Sequence, residues 1–174
     1  MEARVKNYMF DAVKELINEN AENMGICDCA VCRADIAAIV LNKLGVSFYV
    51  AQDKYNKKEL SDIKKDNEQK IMERIGQANA IVSQKPRHDS NNETPTLKNY
   101  MEDCAVKIIS KMIIEKNVEG AKFDDIIADA LNRLPVKYVV SRKGELYSKI
   151  GTIETQFNVD IISAGVAAIE EATK

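Results

Sequence analysis

Three of the four cysteines of this chain fall within six residues, in Gly25-Ile26-Cys27-Asp28-Cys29-Ala30-Val31-Cys32-Arg33-Ala34-Asp35. Thiols spaced C-x-C-x-x-C can turn their sulfurs onto one ion, and a structural zinc takes four Cys or His ligands in a tetrahedron. A fourth ligand is therefore required. The two candidates are Cys104 and the only histidine, His88. Cys104 sits on an apolar helical stripe, where a thiol behaves as a small hydrophobe. His88 follows a long helical pattern in the polar segment Pro86-Arg87-His88, where a core histidine is not expected. The sequence thus points to Cys27, Cys29, Cys32 and His88 as metal ligands. The competing reading is a solvated His88, with Cys104 or water completing the set.

The elements that must carry these residues form a repeat. Apolar residues at Val5, Tyr8, Met9, Ala12, Val13, Leu16 and Ile17 have the spacing of one helical face. The pattern returns at Leu97, Tyr100, Met101, Cys104, Ala105, Ile108 and Ile109, and Lys-Asn-Tyr-Met recurs literally at Lys6 to Met9 and Lys98 to Met101. Such self-similarity marks a tandem repeat. A second landmark, Leu41-Asn42-Lys43-Leu44-Gly45-Val46-Ser47-Phe48-Tyr49-Val50, aligns without gaps on Leu131 to Val140. Each copy reads as a second helix, a break at Gly45 or Pro135, and a short strand rich in β-branched and aromatic residues. The copies are expected to pair these strands with each other, or to fold each into a hairpin with the residues after it.

A third helix follows in each copy. Leu60, Ile63, Ile71, Ile75, Ala78 and Val82 make one stripe, matched by Ile153, Phe157, Ile161, Ala168 and Ala172. A helix from about Lys57 to Ser83 is roughly 40 Å long, and the spacing suggests that the two rods pack on one another. The fold class expected is mainly α: a tandem repeat of a three-helix unit with a short β-strand, packed as an intramolecular pseudo-dimer with one zinc site. Residues 1–88 form the first repeat, 89–96 the linker and 97–174 the second repeat. Gln84 to Thr96, with two of the three prolines, has loop composition. Glu119 and Lys122 stand where the first copy has Cys29 and Cys32, so the second copy carries no metal set.

With 174 residues, 45% hydrophobic content, a net charge of −2 and a pI near 5.6, the chain can bury a core but has no global basic field. Direct nucleic-acid binding is not expected. No apolar run has the length of a membrane span and no signal-peptide pattern is visible, so a cytoplasmic location is expected, where clustered cysteines bind metals more often than they form disulfides. There is no phosphate loop and no nucleophile with a base, and a thiolate-rich closed site is structural rather than catalytic. The chain does not read as an enzyme.

Asn99 to Asp103, Cys27 to Ile36, Leu131 to Val140 and Pro86 to His88 together resemble the late-competence ComFB family. The resemblance spans both copies. It implies a small, mainly helical, zinc-binding protein whose relatives form homodimers, are associated with cyclic dinucleotide second messengers such as c-di-GMP or c-di-AMP, and act in control of competence. A tandem chain is then a fused dimer, one that can assemble further, signalling to a protein partner. The copies have diverged: the first has Phe10 where the second has Glu102, the family's usual acid, and Gly45 for Pro135. A cyclic dinucleotide calls for cations at its phosphates, carboxylates or amides at its base edges and planar groups at its purine faces. Asn99, Glu102, Asp125, Asn132, Arg133, Lys137 and Tyr138 supply those types in the second copy, with Lys43 beside Asn7, Tyr8, Asp35, Asn42 and Tyr49 in the first. Tyr8 and Tyr100 also fit a core, Asp35 and Asp125 a helix start, and Asn42 and Asn132 a turn. Arg133, Lys137 and Lys43 are the cations of the set. The rival reading is a structural-zinc interaction scaffold without a small-molecule ligand.

Overall fold

In the computed structural model, residues 2–88, 94–118, 122–141 and 146–174 are described, with the side chains of 146–153 left aside. Within these residues the element order is β1 (Val5–Asn7), α1 (Tyr8–Asn20), α2 (Ala30–Leu44), β2 (Tyr49–Ala51), α3 (Lys57–Gln84), β3 (Thr96–Asn99), α4 (Tyr100–Glu115), α5 (Phe123–Asn132), β4 (Tyr138–Ser141) and α6 (Leu146–Thr173). The order strand, two helices, strand, long helix occurs twice. Ile153 and Glu119, named above, lie outside what is described.

Asparagines start both leading helices. Asn7 caps α1 by accepting from the Met9 amide, and Asn99 caps α4 by accepting from the Met101 amide, each satisfying one of the orphan N–H groups of a helix start. The same oxygens also accept from the amides of Phe48 and Lys137, so each asparagine joins a helix start to the strand that follows the second helix.

Here the structure corrects the expected strand pairing. β2 pairs antiparallel with β1 in the register Val5↔Ala51, Lys6↔Val50, Asn7↔Tyr49. β4 pairs with β3 in the register Thr96↔Ser141 to Asn99↔Tyr138. The partner of each strand is the short segment before the leading helix, neither the following residues nor the other copy's strand. The register also overturns the gapless alignment. Asn7 faces Tyr49 and Asn99 faces Tyr138, so Tyr49, not Phe48, is the counterpart of Tyr138. The first segment has one extra residue, absorbed at Gly45, which ends α2 with φ +65°. Glycine takes that left-handed conformation without a Cβ penalty.

The long helices correct a second expectation. α3 packs along α1 and α2, and α6 along α4 and α5, so each rod is covered chiefly by the two helices of its own segment. Ile71, Ile75 and Ala78 are fully buried there. On the second rod Gly165 sits under Ile109, where a Cβ would come within 2.9 Å of that side chain. The small residue lets the helices approach.

Contacts between segments are reciprocal. α2 packs on β4 and α5 packs on β2. Val136 and Tyr138 therefore belong to the core built on α1 to α3, and Tyr49 belongs to the core built on α4 to α6. Asn42 holds the backbone of Tyr138, donating to its carbonyl and accepting from its amide at 2.8 Å each. Asn132 does the same to Tyr49, at 2.9 and 2.7 Å.

Candidate metal centre and interface groove

The cysteine loop is positioned by a turn and a helix start. Gly25 adopts φ +63°, and the Ile26 amide then bonds the Ala21 carbonyl. Cys29 is the N-cap of α2: its sulfur accepts from the Cys32 amide at 3.3 Å, so the C-x-x-C spacing is also a cap spacing. Arg33 braces the loop, donating to Asp28 at 2.7 Å, to Asn18 at 3.0 Å and to the Cys27 carbonyl at 3.4 Å.

His88 arrives from the far end of α3. Arg87 pairs through two hydrogen bonds with Asp35 on α2, one of them at 3.0 Å, and this fork fixes the residue before the histidine. His88 Nδ1 then stands 3.8 Å from Cys27 Sγ, 3.4 Å from Cys29 Sγ and 3.7 Å from Cys32 Sγ. All four donor atoms lie within 4.8 Å of one another. With metal–sulfur bonds of about 2.3 Å and metal–nitrogen bonds of about 2.0 Å at a tetrahedral angle, a sulfur and a ring nitrogen stand about 3.5 Å apart. The observed distances straddle that value, so the donor set fits a tetrahedral ion. Cys104 is elsewhere, fully buried on α4.

The thiols differ. Burial works to raise Cys29, but the Cys32 amide, His88 and the neighbouring thiols outweigh it and bring its pKa down to about 7. Burial pushes Cys32 up to about 12, assisted by Cys29 and Cys27. Cys29 is thus the more acidic of the two thiols, and Cys32 would have to give up its proton to hold an ion.

A second feature lies where the segments cross. Lys6, Asn7 and Phe10 of the first meet Lys98, Asn99, Glu102 and Tyr138 of the second around a groove of about 220 Å³. Its floor is a hydrogen-bonded chain. Asn7 donates to the Tyr138 hydroxyl at 2.8 Å, Asn99 donates to the Tyr49 hydroxyl at 2.9 Å, and Tyr49 donates to Glu102 at 2.5 Å. Burial raises the Glu102 carboxyl, against the pull of Tyr49 and Lys98. Burial and the Tyr138 and Glu102 charges raise Tyr49 strongly. In place of a second glutamate, Phe10 stacks on Tyr138 with centroids 5.7 Å apart.

Of the residues selected from sequence, the groove gathers Asn7, Asn99, Glu102 and Tyr138, with Tyr49 hydrogen-bonded beneath them. The others lie elsewhere. Asp125 pairs with Lys54 at 2.5 Å, Arg133 with Asp129 at 2.9 Å, and the Lys137 ammonium lies 4.9 Å from the Phe157 ring. Asn132 is engaged by Tyr49, and Lys43 is exposed in the last turn of α2. Lys6 and Lys98 are the groove's cations, the latter paired with Asp103 at 2.6 Å, and Asp11 lines the groove beside them; sequence reasoning did not select the lysines. The signal was present in the literal recurrence of Lys-Asn-Tyr-Met.

Fold and site define a class: a mainly helical protein of two like segments, one carrying a Cys3His cluster that can hold a metal ion. The sequence pattern of the family described as late competence development protein ComFB matches residues 6–86 and again residues 98–174, and the chain belongs to that family. No curated protein and no solved structure matches it. No helix among the described residues is long and apolar enough to cross a membrane.

Proposed function

We propose that the chain is a cytoplasmic regulatory protein, stapled by zinc, that binds a cyclic dinucleotide and signals to a protein partner without a reaction of its own. The two segments act as an intramolecular pseudo-dimer of three-helix repeats. The observation that carries the ligand reading is the groove at their crossing, where Lys6 and Lys98 come from equivalent positions. A cyclic dinucleotide is itself two-fold, with two phosphates for two cations. Glu102, Asn99 and Asn7 supply hydrogen-bonding groups at the floor, and Phe10 a planar one. The groove is small, so the ligand would rest its phosphodiester edge there with its bases outside. Three thiolates and one imidazole favour zinc, and such a closed set is structural.

Calorimetric titration of the zinc-loaded chain with c-di-GMP and c-di-AMP, with GTP and ATP as controls, tests the ligand. Saturable micromolar binding, weakened in Lys6→Ala and Lys98→Ala, is expected, and parallel Arg133→Ala and Lys43→Ala variants ask whether those cations contribute. Absence of heat and of thermal stabilisation with either dinucleotide would favour the scaffold reading. The observation on that side is the pair Val159 and Ile162, exposed one turn apart on α6.

A further inference from the structure

Beside the metal centre, between α1, α2 and the residues leading into β3, is a cavity of about 290 Å³. Its walls are apolar, chiefly Phe10, Ile17, Ala34 and Leu97, and two cations, Lys14 and Arg33, stand at it. A pocket of this kind, apolar with a few placed polar groups, is the usual form of a small-molecule site. Arg33 donates to Asn18, which also lines the cavity, to the Cys27 carbonyl and to Asp28; the Asp28 carboxylate is 97% exposed, and that bond is the one weak enough for a ligand anion to replace. The Lys14 ammonium lies 5.1 Å from the Phe10 ring centroid, and among the described residues no carboxylate is paired with it.

The second segment provides an internal control. The shift that carries Asn7 to Asn99 places Glu102 and Val106 at the positions of Phe10 and Lys14. The shift that carries Asn42 to Asn132 places Phe123 and Asp124 at those of Arg33 and Ala34. Both cations and the aromatic wall of the helix-one face are gone there, and two carboxylates have entered. Packing alone gives no reason for two cations over an apolar cavity in one segment and none in the other.

We propose that this cavity is a binding site for a small planar anion, a ring of nucleobase or aryl size carrying a phosphate or carboxylate, with the ring between Phe10 and Ala34 and the anion between Lys14 and Arg33. The site adjoins the groove at the crossing, sharing Phe10 and Leu97 with it but neither of its lysines, and is made once per chain. The test is titration of the isotope-labelled, metal-loaded chain with 5′-GMP, 5′-AMP, benzoate and indole-3-acetate, followed by amide shifts. Guanosine, indole and inorganic phosphate serve as controls. Planar anions should shift Ala34, Ala37 and Leu97 saturably, and the neutral rings and bare phosphate should bind about tenfold more weakly or less. Lys14→Ala, an exposed position on α1, should weaken binding about tenfold, and Ala34→Leu should abolish it by filling the cavity. Lys98→Ala should leave it unchanged. Preference for the nucleotides or for the aryl carboxylates identifies the source of the ligand. Absence of saturable shifts with every planar anion, or shifts unaltered in Lys14→Ala and Ala34→Leu, would overturn the assignment.

Discussion

The hydroxyl oxygens of Tyr49 and Tyr138 lie 3.5 Å apart at the crossing of the two segments, and each tyrosine is seated in the other segment's core. Since Tyr49 gives its single proton to Glu102, Tyr138 is the donor across the gap. The chain of donation then runs Asn7, Tyr138, Tyr49, Glu102. Loss of one hydroxyl leaves buried groups unpaired on both sides. Tyr49→Phe should cost about 1–3 kcal/mol and Tyr138→Phe about as much, with the double variant costing less than the sum. Urea unfolding with an unchanged slope is the measurement.

Glu102 gives a pH prediction. Its folded-state pKa is raised, first by burial, so the folded chain holds that proton more tightly than the unfolded chain does. The stability this contributes is complete below the unfolded carboxyl value of about 4.3 and is lost as pH rises through the folded value. Glu102→Gln keeps an acceptor for Tyr49 and removes the titration. Relative to the parent, the variant should gain stability as pH rises from about 4 through the raised folded value and show no further change above it. A difference independent of pH in paired urea titrations would rule out this account.

How much of this was legible in sequence depends on the range of each signal. The cysteine spacing and His88 stand out because three of the four cysteines fall within six residues and the only histidine sits in a polar segment, and the helices stand out because their stripes run for several turns. The strand partners do not. Val5-Lys6-Asn7 is too short to show alternation and reads as the start of α1, while its pairing with Tyr49 to Ala51 is non-local. The one-residue insertion at Gly45 was hidden because Phe48 and Tyr138 are both aromatic, so a gapless alignment looked sound. Only the hydrogen-bond register, with Asn7 on Tyr49 and Asn99 on Tyr138, separates them. A rod of roughly 40 Å looks too long for one small copy to bury, which points to the other rod as its partner, but the two shorter helices of its own segment together cover it.

Gly45 is the cost of that insertion in conformational form. Nothing lies within 4 Å of a Cβ built there, so Gly45→Ala meets no clash and only the φ of +65° opposes it. The expected loss is about 1 kcal/mol, read as a lower urea midpoint. Gly25→Ala, at φ +63° with equally open space, should cost a similar amount and also lower metal affinity, because that turn leads into Cys27.

The metal centre makes the last prediction. Native mass spectrometry should show one zinc per chain, and Cys29→Ser should lose it while keeping the cap of α2, since a serine hydroxyl also accepts from the Cys32 amide. His88→Ala should bind more weakly and untie the end of α3 from the start of α2, with Arg87 and Asp35 left as the remaining tie. Cys104→Ala, which restores the residue found at the equivalent position Ala12, should keep the metal. Thermal stability should follow the same order, since an ion that binds only the folded chain stabilises it by mass action. Retention of full metal content and melting temperature in His88→Ala would show that the histidine stands beside the ion without ligating it. In that case water or an exogenous donor would complete the three-thiolate set, and the open position would make the centre reactive rather than structural.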